Sequence, residues 1–405
     1  MTSYNQEKST TACSFCYKDQ HSVDKLIAAP SSIFICDKCV HLCHKMILKY
    51  KSNLDVKIDI PYPYEIKKIL DSYMIDQEEA KKILSVAVFN HYKRIMSENS
   101  DDDIEIEKSN ILLVGPSGSG KTFFAKIMAK ILNVPFVIAD ATSLTEAGYV
   151  GEDVEGILHK LLQSADYNLE MAQKGIVYID EIDKIAKTSE NRSISRDVSG
   201  EGVQQALLKL IEGSTISLPQ KMQKKGQEQT FMNTKDILFI CGGAFSGLDE
   251  IIQESSAKKI GFKTHDIQTN KNYNSNEIDV KHLIKFGLIP ELIGRLPIIA
   301  KLEKFDKDAL IRIMRDTKNS IIKQYSSLFA LSNVVLNFTE DAMEFVAEEA
   351  LKRNTGARSL KSVLEKIFLQ HFFDLREDSK HELLINREYL ENNCNTSKKK
   401  INSVG

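Results

Sequence analysis

The sequence predicts an α/β protein: a five-stranded parallel sheet that binds nucleotide, a smaller helical domain after it, and a four-cysteine zinc-binding module in front. Three observations carry this. Gly115, Pro116, Ser117, Gly118, Ser119, Gly120, Lys121 and Thr122 fit the phosphate-loop pattern G-x-x-x-x-G-K-[ST], between an apolar run (Ile111–Val114) and a helical stretch (Phe123–Leu132). A second apolar run, Gly175–Ile179, ends in Asp180 and Glu181. Cys13-x-x-Cys16 and Cys36-x-x-Cys39 form two matched pairs close together.

Composition is that of a globular protein. The 405 residues are 42% hydrophobic and 27% charged, with a formal net charge of -2. That balance gives no support to non-specific nucleic-acid binding. No run is long or apolar enough to span a membrane, and Met1–Thr11 lacks a signal-peptide core, so a cytoplasmic chain is expected. Seven cysteines do not make a disulfide scaffold. Four thiolates instead give the closed tetrahedral site of structural zinc, stapling a segment too small to make its own core. Cys43 and His44 read as bystanders on the helix opened by Cys39.

The expected organisation is a zinc module (1–50), a lysine-rich linker (51–64), a large nucleotide-binding domain (65–304), a small helical domain (305–390) and a polar tail (391–405). Residues 65–73 and 77–95 read as helices, the second with Ala80, Ile83, Leu84, Ala87 and Val88 on one face. Strands follow at 111–114, 134–139, 175–179, 237–240 and 297–300, with Gly242-Gly243 breaking the fourth. Helices are expected at 153–165, 203–211 and 282–294. Residues 213–235 read as a surface loop and 245–276 as a long mobile loop. In the small domain, helical stretches flank a strand at 334–338, Thr339 caps the next helix, and the chain frays past 388.

Chemistry follows from residue type and place. Closely spaced glycines let backbone N–H groups face phosphate oxygens, and the helix N-terminus adds positive potential. Lys121 would reach the terminal phosphates, Thr122 and Asp180 would hold Mg²⁺, and Glu181 would orient the attacking water. Met74 and Ile75 are candidates for adenine contacts. Arg295, before the last strand, and Arg358, at a helix start, are candidate phosphate arginines. Tyr149 and Val150, bracketed by glycines, and Ile260-Gly261-Phe262, flanked by lysines, are apolar tips.

These motifs together resemble the ClpX family of AAA+ unfoldases. The resemblance runs through the cysteine module, Gln77-Glu-Glu-Ala-Lys-Lys82, Asn90-His-Tyr-Lys-Arg94, the phosphate loop, Gly148-Tyr-Val-Gly151 and Tyr178–Lys184. Arg196–Gly213, Ile289–Pro297 and Gly356-Ala-Arg-Ser-Leu360 complete it. It implies an AAA+ P-loop ATPase working as a homo-hexamer on ATP and Mg²⁺, with zinc in the first module. Arg295 matches the family's trans-acting arginine finger and Arg358 its second sensor. Tyr149 and Val150 match the pore loop that grips polypeptide, Arg196 lies in the second pore loop, and Lys224 and Lys225 lie in the pore-entrance loop. Ile260, Gly261 and Phe262 match the loop that docks on the ClpP peptidase. The zinc module resembles a dimerising domain that recruits adaptor proteins and some substrates; tagged or unstructured proteins would be the clients.

Two departures stand out. Lys221–Gly226 replaces the family's usual Gly-Gly-Arg-Lys-His-Pro in a region one residue shorter, which bears on tag preference. Tyr17 stands where the family usually has glycine. Competing readings are a remodeller that works without peptidase, a zinc-ribbon nucleic-acid motor, and a nucleotide-dependent structural protein without turnover.

Overall fold

The computed structural model describes residues 11–29, 33–52, 60–97, 106–145, 152–187, 200–218, 230–258, 278–375 and 381–392. The chain divides into two compact units, Met1–Ile58 and Asp59–Gly405. In the first, β1 (Leu26–Ala29) and β2 (Ile33–Cys36) form an antiparallel hairpin, and α1 (Asp37–Ser52) follows at once, two residues before Cys39. Its buried core is Cys13, Cys36 and Cys39, packed by Cys16, Val23, Leu26 and Ile35. So small an apolar core cannot offset the entropy of ordering the segment, which makes the sulfur cluster its structural centre.

The second unit opens with α2 (Pro63–Tyr73) and α3 (Glu78–Ser97). Lys81 is buried on α3 yet fully compensated, its Nζ donating to Asp71 on α2 at 2.7 Å and to Glu78 at 3.2 Å. Next come β3 (Ile111–Val114), α4 (Lys121–Leu132), β4 (Phe136–Asp140), α5 (Gly156–Ser164), β5 (Ile176–Asp180), α6 (Glu201–Glu212) and β6 (Leu238–Gly243). Then follow α7 (Leu248–Lys258), α8 (Val280–Phe286), α9 (Pro290–Gly294) and β7 (Ile298–Lys301). The five main strands, β3 to β7, pair in parallel in the order β7-β3-β6-β5-β4. β3 and β6 are buried along their whole length, which is why they read as unbroken apolar runs rather than alternating ones. In such a sheet the ligand crevice lies beyond the carboxyl ends, where the strand order reverses beside β3.

The smaller part is built from α10 (Lys307–Arg315), α11 (Ile321–Ala330), α12 (Glu340–Lys352) and α13 (Arg358–Phe373). β8 (Val334–Phe338) and β9 (His381–Ile385) pair in parallel beside them. Asp306 caps α10 through Ala309 N–H at 2.7 Å, and Ser320 caps α11 through Lys323 N–H at 3.4 Å. Its core is separate from that of the sheet and rich in rings, with Phe329 stacked on Phe372 at 4.3 Å.

Several expectations are corrected. Gly242 and Gly243 do not break the fourth strand; they pair with Leu113 and Val114 inside it. A Cβ on Gly242 would lie 2.1 Å from the Tyr178 hydroxyl, so glycine is there to let that ring cross. The 245–276 stretch is not a loop throughout, since α7 occupies Leu248–Lys258. The 282–294 helix is two, parted by Gly287 at φ 120. Residues 213–235 contain an antiparallel pair, Thr215–Ser217 with Phe231–Asn233. Thr339 stands at the N-cap of α12 but its hydroxyl donates to Ile385 O at 3.0 Å, tying the helix start to β9. Past residue 388 the described residues, 389–392, include Leu390, which is buried in the small core.

Candidate functional site

The phosphate loop joins β3 to α4. Gly118 and Gly120 both take left-handed backbone conformations, φ 76 and φ 100, which turn successive peptide groups toward one side. Lys121 Nζ is held over the loop by Gly115 O at 2.6 Å and Pro116 O at 3.0 Å. Burial pulls its ammonium below the usual lysine range, opposed by the carboxylates of Asp180 and Asp183. Ser119 Oγ, in the same loop, is buried with no hydrogen-bond partner among the described residues. A glycine-hinged loop at a helix N-terminus, one buried cation and one orphaned hydroxyl suit an anion such as a phosphate.

Two strands away, Asp180 closes β5. Its Oδ2 accepts from Thr122 Oγ1 at 3.0 Å, and its Oδ1 from Tyr178 OH at 3.1 Å and from the Glu181 N–H at 3.0 Å. Tyr178 reaches it only because the neighbouring strand, β6, carries Gly242 where the ring passes. The Thr122–Asp180 pair is an all-oxygen donor set that fits a hard divalent cation. Glu181 is exposed and sits at φ 56 and ψ 33, a strained conformation for a non-glycine residue. Asp183 has a structural part, accepting from the Ala244 and Phe245 N–H groups at 3.2 Å each.

A cavity of about 360 Å³ opens beside these groups, within the range of small-molecule sites. Its polar lining comprises Ser117, Lys121, Thr122, Asp180, Glu181, Lys184 and Arg358. Its apolar lining includes Tyr73, Met74, Ile75, Phe305 and Ile313. The mixed lining suits a ligand that carries both anionic and flat apolar parts. Ile75 also packs on the small core, and Arg358 opens α13, so both cores wall the cavity. Beside the phosphate loop they meet backbone on backbone. Ala357 N–H donates to Gly118 O at 3.1 Å, and a Cβ on Gly356 would lie 2.8 Å from that same oxygen.

The cavity thus gathers Met74, Ile75, Lys121, Thr122, Asp180, Glu181 and Arg358, all candidates from sequence. Arg295 does not line it; this residue caps α9 and its side chain pairs with Glu212 at 3.2 Å. Tyr149, Val150, Arg196, Lys224, Lys225, Ile260, Gly261 and Phe262 lie outside the described residues. Sequence reading missed Tyr73, Phe305 and Ile313, whose helix or loop positions carry no local sign of a ligand. Tyr178 was legible as core, and its second part as a donor to Asp180 was not.

In the first unit the Sγ atoms of Cys13, Cys16, Cys36 and Cys39 all lie within 4.8 Å of one another. Cys16 and Cys36 are 3.6 Å apart, far beyond a disulfide bond of about 2.0 Å. The spacing matches the edge of a tetrahedron with zinc–sulfur bonds of about 2.3 Å, roughly 3.8 Å. Burial raises the Cys13 thiol, but N–H groups of Cys16, Phe15 and Cys36 outweigh it and bring it down to about 6. Cys36 N–H donates to Cys13 Sγ at 3.3 Å and Cys39 N–H to Cys36 Sγ at 3.4 Å, the kind of support thiolate ligands use. The cluster therefore fits Zn²⁺ with no open position. Cys43 is outside it and His44 is exposed. Tyr17 takes φ 59, a left-handed turn in which glycine would be unstrained. No helix among the described residues is long and apolar enough to cross a membrane.

Residues 106–299 match the family described as AAA domain (Cdc48 subfamily), and residues 305–379 the C-terminal, D2-small domain, of ClpB protein. With the site above, these define the class: an AAA+ ATPase. Residues 11–49 match the ClpX C4-type zinc finger. The chain is 50% identical over 398 residues, 96% of either chain, to the ATP-dependent Clp protease ATP-binding subunit ClpX of Treponema denticola. It belongs to the ClpX family.

Proposed function

We propose that six copies of this chain form a ring that uses ATP to unfold proteins and thread them through its pore into the ClpP peptidase. The carrying observation is the cavity itself. A phosphate loop, a Thr122–Asp180 donor pair, an exposed Glu181 and Arg358 from the second core all face one space. ATP binds with its triphosphate on the loop and Lys121, and its base against Met74 and Ile75. Mg²⁺, held by Thr122 and Asp180, would screen the triphosphate charge. Glu181 orients the attacking water and takes its proton. Arg295 reaches the nucleotide of the neighbouring subunit, and Arg358 transmits its state to the small domain.

Motion of one core against the other drives Tyr149 and Val150 along the client chain, assisted by Arg196 and, at the pore entrance, Lys224 and Lys225. Sequence-tolerant apolar contact suits a machine that pulls unrelated clients. Ile260, Gly261 and Phe262 dock on ClpP, and the zinc module dimerises and receives adaptors. The domain division is that given above: 1–50, 51–64, 65–304, 305–390 and 391–405.

The test is ATP-dependent degradation of a folded, terminally tagged reporter with and without ClpP. Wild type should degrade it only with both ATP and ClpP. Glu181→Gln should bind ATP, hydrolyse it at under about 1% of the wild-type rate, and degrade nothing. Hydrolysis by that variant at the wild-type rate refutes the role of Glu181. Unfolding by wild type that never feeds ClpP leaves a remodeller instead.

A further inference from the structure

Arg295 stands outside the nucleotide cavity of its own chain, and three polar residues hold it there. Its Nε donates to Oε1 of Glu212, the last residue of α6, at 3.2 Å. That contact uses the inner edge of the guanidinium and leaves the two terminal NH₂ groups of the fork outside it. The backbone beneath is fixed by Asn110, which is 1% exposed. Its Nδ2 donates to Arg295 O at 3.0 Å and to Ile211 O at 3.4 Å, while its Oδ1 accepts from Phe239 N–H at 3.3 Å. Gln204, fully buried on α6, grips the other end of the same stretch. Its Oε1 accepts from Ile289 N–H at 2.8 Å, and its Nε2 donates to Ile185 O at 2.8 Å.

α6 and the Ile289–Arg295 stretch are thus joined at both ends by buried amides, whose displacement would leave buried polar groups unsatisfied. On that rigid base, the remaining freedom belongs to the Arg295 side chain, which is 54% exposed, as Glu212 is 45% exposed. A long exposed arginine loses rotamer entropy when it must present one geometry to a ligand. A carboxylate already holding Nε takes that cost in advance.

We infer that Glu212 is a positioning residue for Arg295, orienting the guanidinium that acts on the neighbouring subunit's nucleotide. The inference rests on the reading of Arg295 as a trans-acting residue. Because the arginine works on charge that develops during phosphoryl transfer, its misplacement lowers kcat and leaves KM for ATP in place.

Glu212→Ala should lower ATPase kcat about fivefold, the scale of one exposed ion pair, with KM within twofold and an unchanged melting temperature. Glu212→Gln keeps an acceptor oxygen at the same position and should recover most of the loss. Mixed rings decide where the effect acts. Glu212→Ala subunits are combined in equal amounts with Glu181→Gln subunits, which should add almost no hydrolysis but carry an intact Arg295 contact. Arg295→Ala with Glu181→Gln, and wild type with Glu181→Gln, serve as references. Turnover per Glu212→Ala subunit should rise toward that of the wild-type mixture, as it should for Arg295→Ala. If Arg295→Ala is rescued but Glu212→Ala is not, Glu212 serves its own site and the inference falls alone. Wild-type kcat in pure Glu212→Ala rings overturns it as well. If Arg295→Ala is not rescued either, the trans-acting reading has failed and takes the inference with it.

Discussion

Replacing Gly356 with alanine separates two demands on the turn between α12 and α13. The new methyl would lie 2.8 Å from Gly118 O and 2.9 Å from Ser117 O, where ordinary contact begins near ~3.5 Å. Both atoms are backbone of the phosphate loop, so no side chain can rotate away. Gly356 also has φ 57, which costs alanine about 1–2 kcal/mol. Overpacking adds about 1–3 kcal/mol, so holding the closed arrangement would cost roughly 2–5 kcal/mol. Letting the turn withdraw costs less. It forfeits the Ala357 N–H bond to Gly118 O, about 1 kcal/mol, in place of the overpacking cost of about 1–3 kcal/mol, the φ cost being common to both arrangements. Withdrawal therefore wins, and it carries Arg358 away from the cavity. A lost charge-assisted phosphate contact is worth about 1.5–3 kcal/mol, so ATP affinity should fall about tenfold or more. Calorimetric titration with a non-hydrolysable ATP analogue reads this, beside a thermal melt that should move by only a few degrees. Wild-type affinity with an unchanged melt would refute the claim that this backbone contact seats Arg358.

Two further outcomes follow from the same reasoning. Removing metal with a strong chelator should unfold the Cys13–Cys39 segment and leave the melt of the Asp59–Gly405 unit in place; Cys13→Ser should do the same, and unchanged peptide circular dichroism on metal loss would exclude a structural metal. His91 is buried, its Nε2–H donating to Asp236 O at 3.0 Å, and burial together with Lys108 and Arg94 holds its pKa down to about 3. Between about pH 6.5 and 3 the unfolded chain binds the extra proton, so this contribution to stability is lost on acidification, by up to about 1.4 kcal/mol per pH unit. Denaturant titrations at about pH 7, 6 and 5 should show a shallower loss in His91→Gln; an identical slope would remove His91 as the cause.

What was legible in the sequence was what a short window can encode. The phosphate loop, the apolar runs of β3 to β7 and the paired cysteines each state their chemistry within a short stretch, and each lies where periodicity or spacing put it to within two residues, except that β6 runs three residues past its expected end. What was illegible depended on partners far away in the chain. Gly242 reads as a strand breaker because glycine usually is one; it is kept in the strand by a tyrosine on the neighbouring strand, whose hydroxyl must pass it to reach Asp180. α7 was hidden by weak periodicity, and β9 by its separation from β8 by two whole helices. Asn110 shows the limit most clearly. In sequence it is a polar residue before a strand, suited to a turn. In the fold its side chain bonds Ile211, Phe239 and Arg295, from three different segments, and no local pattern could have named any of them. Short motifs thus mark where charge is handled. The buried amides that fix the backbone beneath Arg295 become visible only once strand order has brought their partners together.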